Sequence, residues 1–77
     1  MNSEELDVAV RESMEVMKIN HCIEYGKDPK TIDEEIINEK VRRGIPEEEA
    51  RNTFKENLSR IYDLLAKDLR KTYTVKD

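Results

Sequence analysis

Few side chains in this sequence could carry out chemistry, and their spacing assigns most of them to structural roles. His21 is the only histidine and Cys22 the only cysteine. A metal site would need further ligands at helical or turn spacing. Adjacent residues on a helix point about 100° apart, and the positions four before and four after His21 are Met17 and Tyr25. No second ligand is supplied. The pair is expected to be packed or partly exposed, with no metal and no cofactor.

Carboxylates are abundant, yet the clusters Asp33-Glu34-Glu35 and Glu47-Glu48-Glu49 fall where helices are expected to begin. There the positive end of the macrodipole and the unpaired backbone N–H groups favour acids. General acid–base work needs a carboxyl in a desolvated pocket, and a chain of 77 residues offers little room for one. The two glycines are far apart and form no phosphate-binding loop, and no serine stands in a recognisable nucleophile context. The chain is therefore expected not to be an enzyme, and no small-molecule substrate is evident.

Bases suggest a second possibility. Lys40-Val41-Arg42-Arg43-Gly44 precedes a helix and is similar to the joint of a helix-turn-helix. The helix that would enter the major groove opens with Glu47, Glu48 and Glu49, whose charges oppose phosphates. Glu39 and Lys40 also stand where that motif wants small or apolar residues. Nucleic-acid association would fall instead to Lys67, Arg70, Lys71 and Lys76. Val41 to Ala50 resembles the helix–loop–helix turn of ubiquitin-associated domains, but only over those ten residues, and a long third helix departs from that compact fold. No family is identified from the sequence.

The elements that must position these residues are marked by the only glycines and prolines. Gly26 is followed by Pro29 and Gly44 by Pro46. Glycine adopts the left-handed conformation that ends a helix, and proline is pre-set for the next first turn. Two such connectors divide an all-α chain into helices of about 3–25, about 31–43 and about 46–71, with a frayed tail 72–77. Asn2 or Ser3 should cap the first helix; the second should begin after Asp28 or Thr31, and Thr31 with Glu34 fits a capping box. Acid-then-base pairs four apart, at Asp7–Arg11, Glu39–Arg43, Glu47–Arg51, Glu56–Arg60 and Asp63–Lys67, each support a helix by about 0.2–0.5 kcal/mol.

Apolar periodicity defines the faces. In the third helix Phe54, Leu58, Ile61, Leu65 and Leu69 share one stripe, with Ala50 and Tyr62 at its margins. The first helix has two stripes roughly 160° apart. One is Leu6, Val10, Met14, Met17 and Tyr25; the other is Val8, Val16, Ile19 and Ile23. The second helix adds Ile32, Ile36, Ile37 and Val41. That supply covers one side of the first helix but hardly two, so Val8, Val16, Ile19 and Ile23 are expected to meet another molecule.

Composition bounds the rest. Leu, Ile, Val and Phe make up 18 of the 77 residues, just above the roughly 20 % below which highly charged chains stay disordered. The net charge of −4 is divided unevenly, −6 over residues 1–35 and +2 over residues 36–77, so the halves should attract. A lone cysteine and the lack of any long apolar run point to a reducing, cytoplasmic setting. The expectation is a single helical domain, a three-helix bundle or helical hairpin with a short middle helix and a long third one. It would act without catalysis as a homodimer or on another protein through an exposed helical face, as small regulators, inhibitors, antitoxins and phage or plasmid accessory proteins do. A nucleic-acid-associated regulator is the alternative.

Overall fold

Both glycines end helices. Gly26 (φ 64°) closes α1, Ser3–Tyr25, and Gly44 (φ 97°) follows α2, Ile32–Arg42. A third helix, α3, runs from Glu47 to Thr72. The computed structural model describes residues 1–76 and holds these three helices and their connectors. At Gly44 the chain forms a Schellman turn: the Ile45 N–H donates to Lys40 O at 3.1 Å and the Gly44 N–H to Val41 O at 3.0 Å. Two carbonyls that the helix end would leave unpaired are thereby satisfied.

Helix starts are handled in three different ways. Asn2 and Glu5 form a full capping box, with Asn2 Oδ1 accepting from Glu5 N at 2.8 Å and Glu5 Oε1 accepting from Asn2 N at 3.1 Å. The box expected at Thr31 and Glu34 is not formed. Thr31 accepts no capping bond, and its hydroxyl turns to Glu35 Oε1 at 3.3 Å. The helix still begins just after Thr31, and Asp28, the other start expected, closes the turn before it. The Asp28 side chain accepts from Lys30 N at 2.9 Å and its carbonyl from Thr31 N and Ile32 N at 3.1 and 3.0 Å. Glu34 is drawn to Arg51 of α3, where two charge-assisted bonds outweigh one bond to a backbone N–H. Pro46, extended at φ −55°, ψ 142°, lies just outside α3, whose first turn carries Glu47, Glu48 and Glu49.

The long helices run antiparallel. Met1 meets the far end of α3, its amino group donating to Thr74 O at 3.2 Å while Lys76 N donates to Met1 O at 2.8 Å. Further along, Tyr62 reaches Asp7. The segment expected to fray thus leaves helical geometry at Tyr73 and pairs with the other end of the chain; Asp77 lies outside the described residues.

The core is small: Leu6, Val10 and Cys22 from α1, Ile32 and Ile37 from α2, and Ala50 from α3. On α1 the inward row is the i, i+4 line 6–10–14–18–22, which drifts about 40° per step around the helix. Cys22 therefore takes the buried place expected for Met17 and Tyr25, which stay exposed. Lys18, half-buried on the same line, reaches Asp33 of α2 at 3.4 Å. On α3 the stripe Phe54, Ile61, Leu65 and Leu69 is half-buried and Leu58 stays exposed.

The molecule is extended for its size. Its radius of gyration is 14.9 Å, against about 11.5 Å for a compact chain of this length. It exposes 6094 Å², whereas a folded monomer of this mass exposes about 4,900 Å².

Gly44→Ala tests the joint between α2 and α3. A Cβ there would touch nothing within 4 Å, so the cost is that of positive φ alone, about 1 kcal/mol or somewhat more. Urea unfolding should register that loss. A variant as stable as the wild type would mean that the two helices are joined differently in solution.

Candidate functional site

The outer face of α1 holds the residues expected to meet a partner. Val8, Val16, Ile19 and Ile23 fall within about 80° of one another, and all four are exposed, at 53, 55, 39 and 75 %. Neither α2 nor α3 covers them, because α3 packs on the opposite side of α1, where Leu6 and Val10 are buried. The charged residues within the outer half of this helix are Glu4, Glu5, Glu12 and Glu15, all acids and all exposed.

A second apolar surface lies where the three helices converge. Met14 and Met17 of α1, Ile36 of α2, and Phe54, Leu58 and Ile61 of α3 line an open groove of about 510 Å³. Its rim mixes signs, with Arg11, Lys18 and Lys40 against Glu15 and Asp33. The sequence carried little signal for it. Ile36 was grouped with the other apolar residues of α2, and only the angle between helices decides that it faces an opening.

Polar ties hold these surfaces in place. The Tyr62 hydroxyl donates to Asp7 Oδ1 at 2.6 Å, and Arg11 Nε donates to the same carboxylate at 3.0 and 3.2 Å. The Arg11 guanidinium also stands 5.5 Å from the centre of the Tyr62 ring. The Tyr62 bond first, and Arg11 second, hold the Asp7 carboxyl below its ordinary value. The Tyr62 hydroxyl is pushed above its own, chiefly by that same bond. Arg51 joins two acids, binding Glu34 at 2.9 and 3.0 Å and Glu47 at 3.1 Å. The Arg51 bonds hold the Glu34 carboxyl below its ordinary value, and the bonds to Glu34 first and Glu47 second push the guanidinium above its own.

Of the pairs expected within helices, Asp7–Arg11, Glu39–Arg43 and Glu47–Arg51 are present, and Arg42 also pairs with Glu39. Glu56–Arg60 and Asp63–Lys67 are not among the ion pairs of the described residues. The partners of Tyr62 and of Glu34 lie 55 and 17 residues away, beyond anything local spacing can indicate.

His21 is exposed and sits against Tyr25, ring centres 4.7 Å apart, while its neighbour Cys22 is buried. Among the described residues no group of three or more His, Cys, Asp or Glu side chains gathers as a metal site would require. The bases of the alternative reading, Lys67, Arg70, Lys71 and Lys76, are exposed along the end of α3 and its tail, with Asp63 and Asp68 interleaved. Among the described residues no helix is long and apolar enough to cross a membrane. No protein family, curated protein or solved structure matches this chain.

The Asp7–Tyr62 bond makes a prediction with a pH signature. A carboxyl held low in the folded chain stabilises it above the unfolded titration range, and that contribution is lost as pH falls through the folded value. A tyrosine held high stabilises below its ordinary value and loses the contribution as pH rises through the raised one. Tyr62→Phe should therefore lower Tm at pH 7, and its gap to the wild type should close both as pH falls below 3.8 and as it rises beyond 10.0. A gap that stays constant across pH would mean that the bond contributes nothing.

Proposed function

We propose that this chain is a non-enzymatic, cytoplasmic interaction protein that binds another protein through the outer face of α1. Val8, Val16, Ile19 and Ile23 are the contact residues. The observation that carries this reading is their joint exposure on one face of a well-capped helix. Each such side chain left in water forgoes about 1.5–3 kcal/mol of burial. The surplus of about 1,200 Å² over a compact monomer exceeds the about 800 Å² that a standard interface removes from each partner.

A regulatory role of the inhibitor, antitoxin or accessory kind fits a small acidic helical chain by association with what such proteins do, and it needs no catalytic group. Homodimer formation belongs to the same reading. It is favoured by the groove, whose rim of both signs can meet its own two-fold copy. Association with nucleic acid is the second reading, favoured by the exposed bases at the end of α3; it predicts binding that weakens steeply with salt.

Ile19→Glu separates interface from core. The variant should keep its helical circular dichroism and cooperative melt while losing the proteins that the wild type captures from its native host. Retention of the same partners would overturn the assignment of the face. So would collapse of the helical signal at every protein concentration in a chain that is monomeric before mutation, since a charge buried without a partner unfolds a core.

A further inference from the structure

The outer stripe of α1 is interrupted by one acid. Four residues beyond Val8 stands Glu12, and four beyond that Val16. At about 100° per residue Glu12 lies within about 40° of Val8, Val16, Ile19 and Ile23 alike, at the middle of the stripe. Ala9, Glu12, Val16, Ile19 and Ile23 follow one another by alternating steps of three and four, the spacing of a coiled-coil seam. Glu12 is exposed, and no base of the described residues pairs with it. The two bases of α1, Arg11 and Lys18, are held by Asp7 and Asp33 on the other side.

We infer that this face receives a basic amphipathic helix of another protein, carrying aliphatic side chains at heptad spacing and a Lys or Arg opposite Glu12. The inference rests on the reading of the face as a protein-binding surface and names the chemistry of what binds. Its argument is charge. Every charged side chain on this half of α1 is acidic. A polar residue within an apolar seam selects partner and register at some cost in stability. A second copy is the wrong occupant. A parallel pairing sets Glu12 against Glu12; an antiparallel pairing that sets Val16 against Ile19 sets Glu12 against Ile23 with no base to meet it, and one that sets Ile19 against itself carries Glu12 past Tyr25, the end of the other α1, and leaves Val8 uncovered. The groove, with both signs on its rim, remains available for self-association.

Synthetic helical peptides of about three heptads test the inference, identical except for Lys or Glu at the central seam position. Binding to the whole chain is read by fluorescence anisotropy at low and moderate salt. The Lys peptide should bind at least about tenfold tighter than the Glu peptide, the equivalent of about 1.4 kcal/mol, and Glu12→Lys should reverse that order. Equal binding of the two peptides, no binding of the Lys peptide, or an order unchanged by Glu12→Lys would each overturn the proposal. If both peptides bind equally and both are lost with Ile19→Glu, the face binds helices without selecting charge, and only the inference about Glu12 falls. If binding survives Ile19→Glu, the interaction reading of the face falls with it. Wild-type self-association that Ile19→Glu abolishes would assign the face to a second copy and overturn the basic-helix occupant.

Discussion

The antiparallel packing of α1 on α3 is the contact on which the rest of this structure depends. An eleven-residue helix such as α2 is too short to persist in water by itself, so it forms where α3 and the far end of α1 give Ile32 and Ile37 something to pack on. The two long helices hold each other with little buried material. Leu6 and Val10 supply the aliphatic contact from α1, and Ala50 is fully buried near the start of α3.

Polar groups complete what so small an apolar core leaves unfinished. Tyr62 and Asp7 lock the open end of the α1–α3 pair, Arg51 fastens α3 to Glu34 of α2, and Lys18 meets Asp33 between α1 and α2. Each tie joins two different helices, and two of them join the acidic first half of the chain to the basic second half. The uneven charge of the sequence is thus used in folding. All of these groups keep contact with water, so none incurs the large desolvation cost of a buried ion pair, and each is worth correspondingly little. The arrangement specifies which helix faces which more than it deepens the stability of the whole.

This economy leaves apolar surface uncovered. A helix packed on one side by one neighbour can present its other side outward without loss of its own backbone bonds, and α1, capped at Asn2 and closed at Gly26, has the regularity to do so. Its outer face pairs aliphatic bulk with acidic charge. The groove pairs apolar walls with both signs. The two surfaces thus differ in character, one aliphatic and acidic, the other apolar with both signs on its rim.

Local spacing alone indicates the three helices, the glycine ends of α1 and α2 and the two-sided character of α1. These depend on neighbours within a few residues: the positive φ that only Gly26 and Gly44 take easily, the capping of Asn2, and the 3.6-residue recurrence of apolar positions. Only the tertiary structure decided which apolar residues are core. Helices cross at an angle, and a contact line drifting along 6–10–14–18–22 buries Cys22 while leaving Met17 and Tyr25 in water. Only the fold, too, could move Glu34 from its expected cap to Arg51 and bring Tyr62 to Asp7. Such pairings are set by the distance between helices, and a long-range distance has no signature in the local spacing of residues.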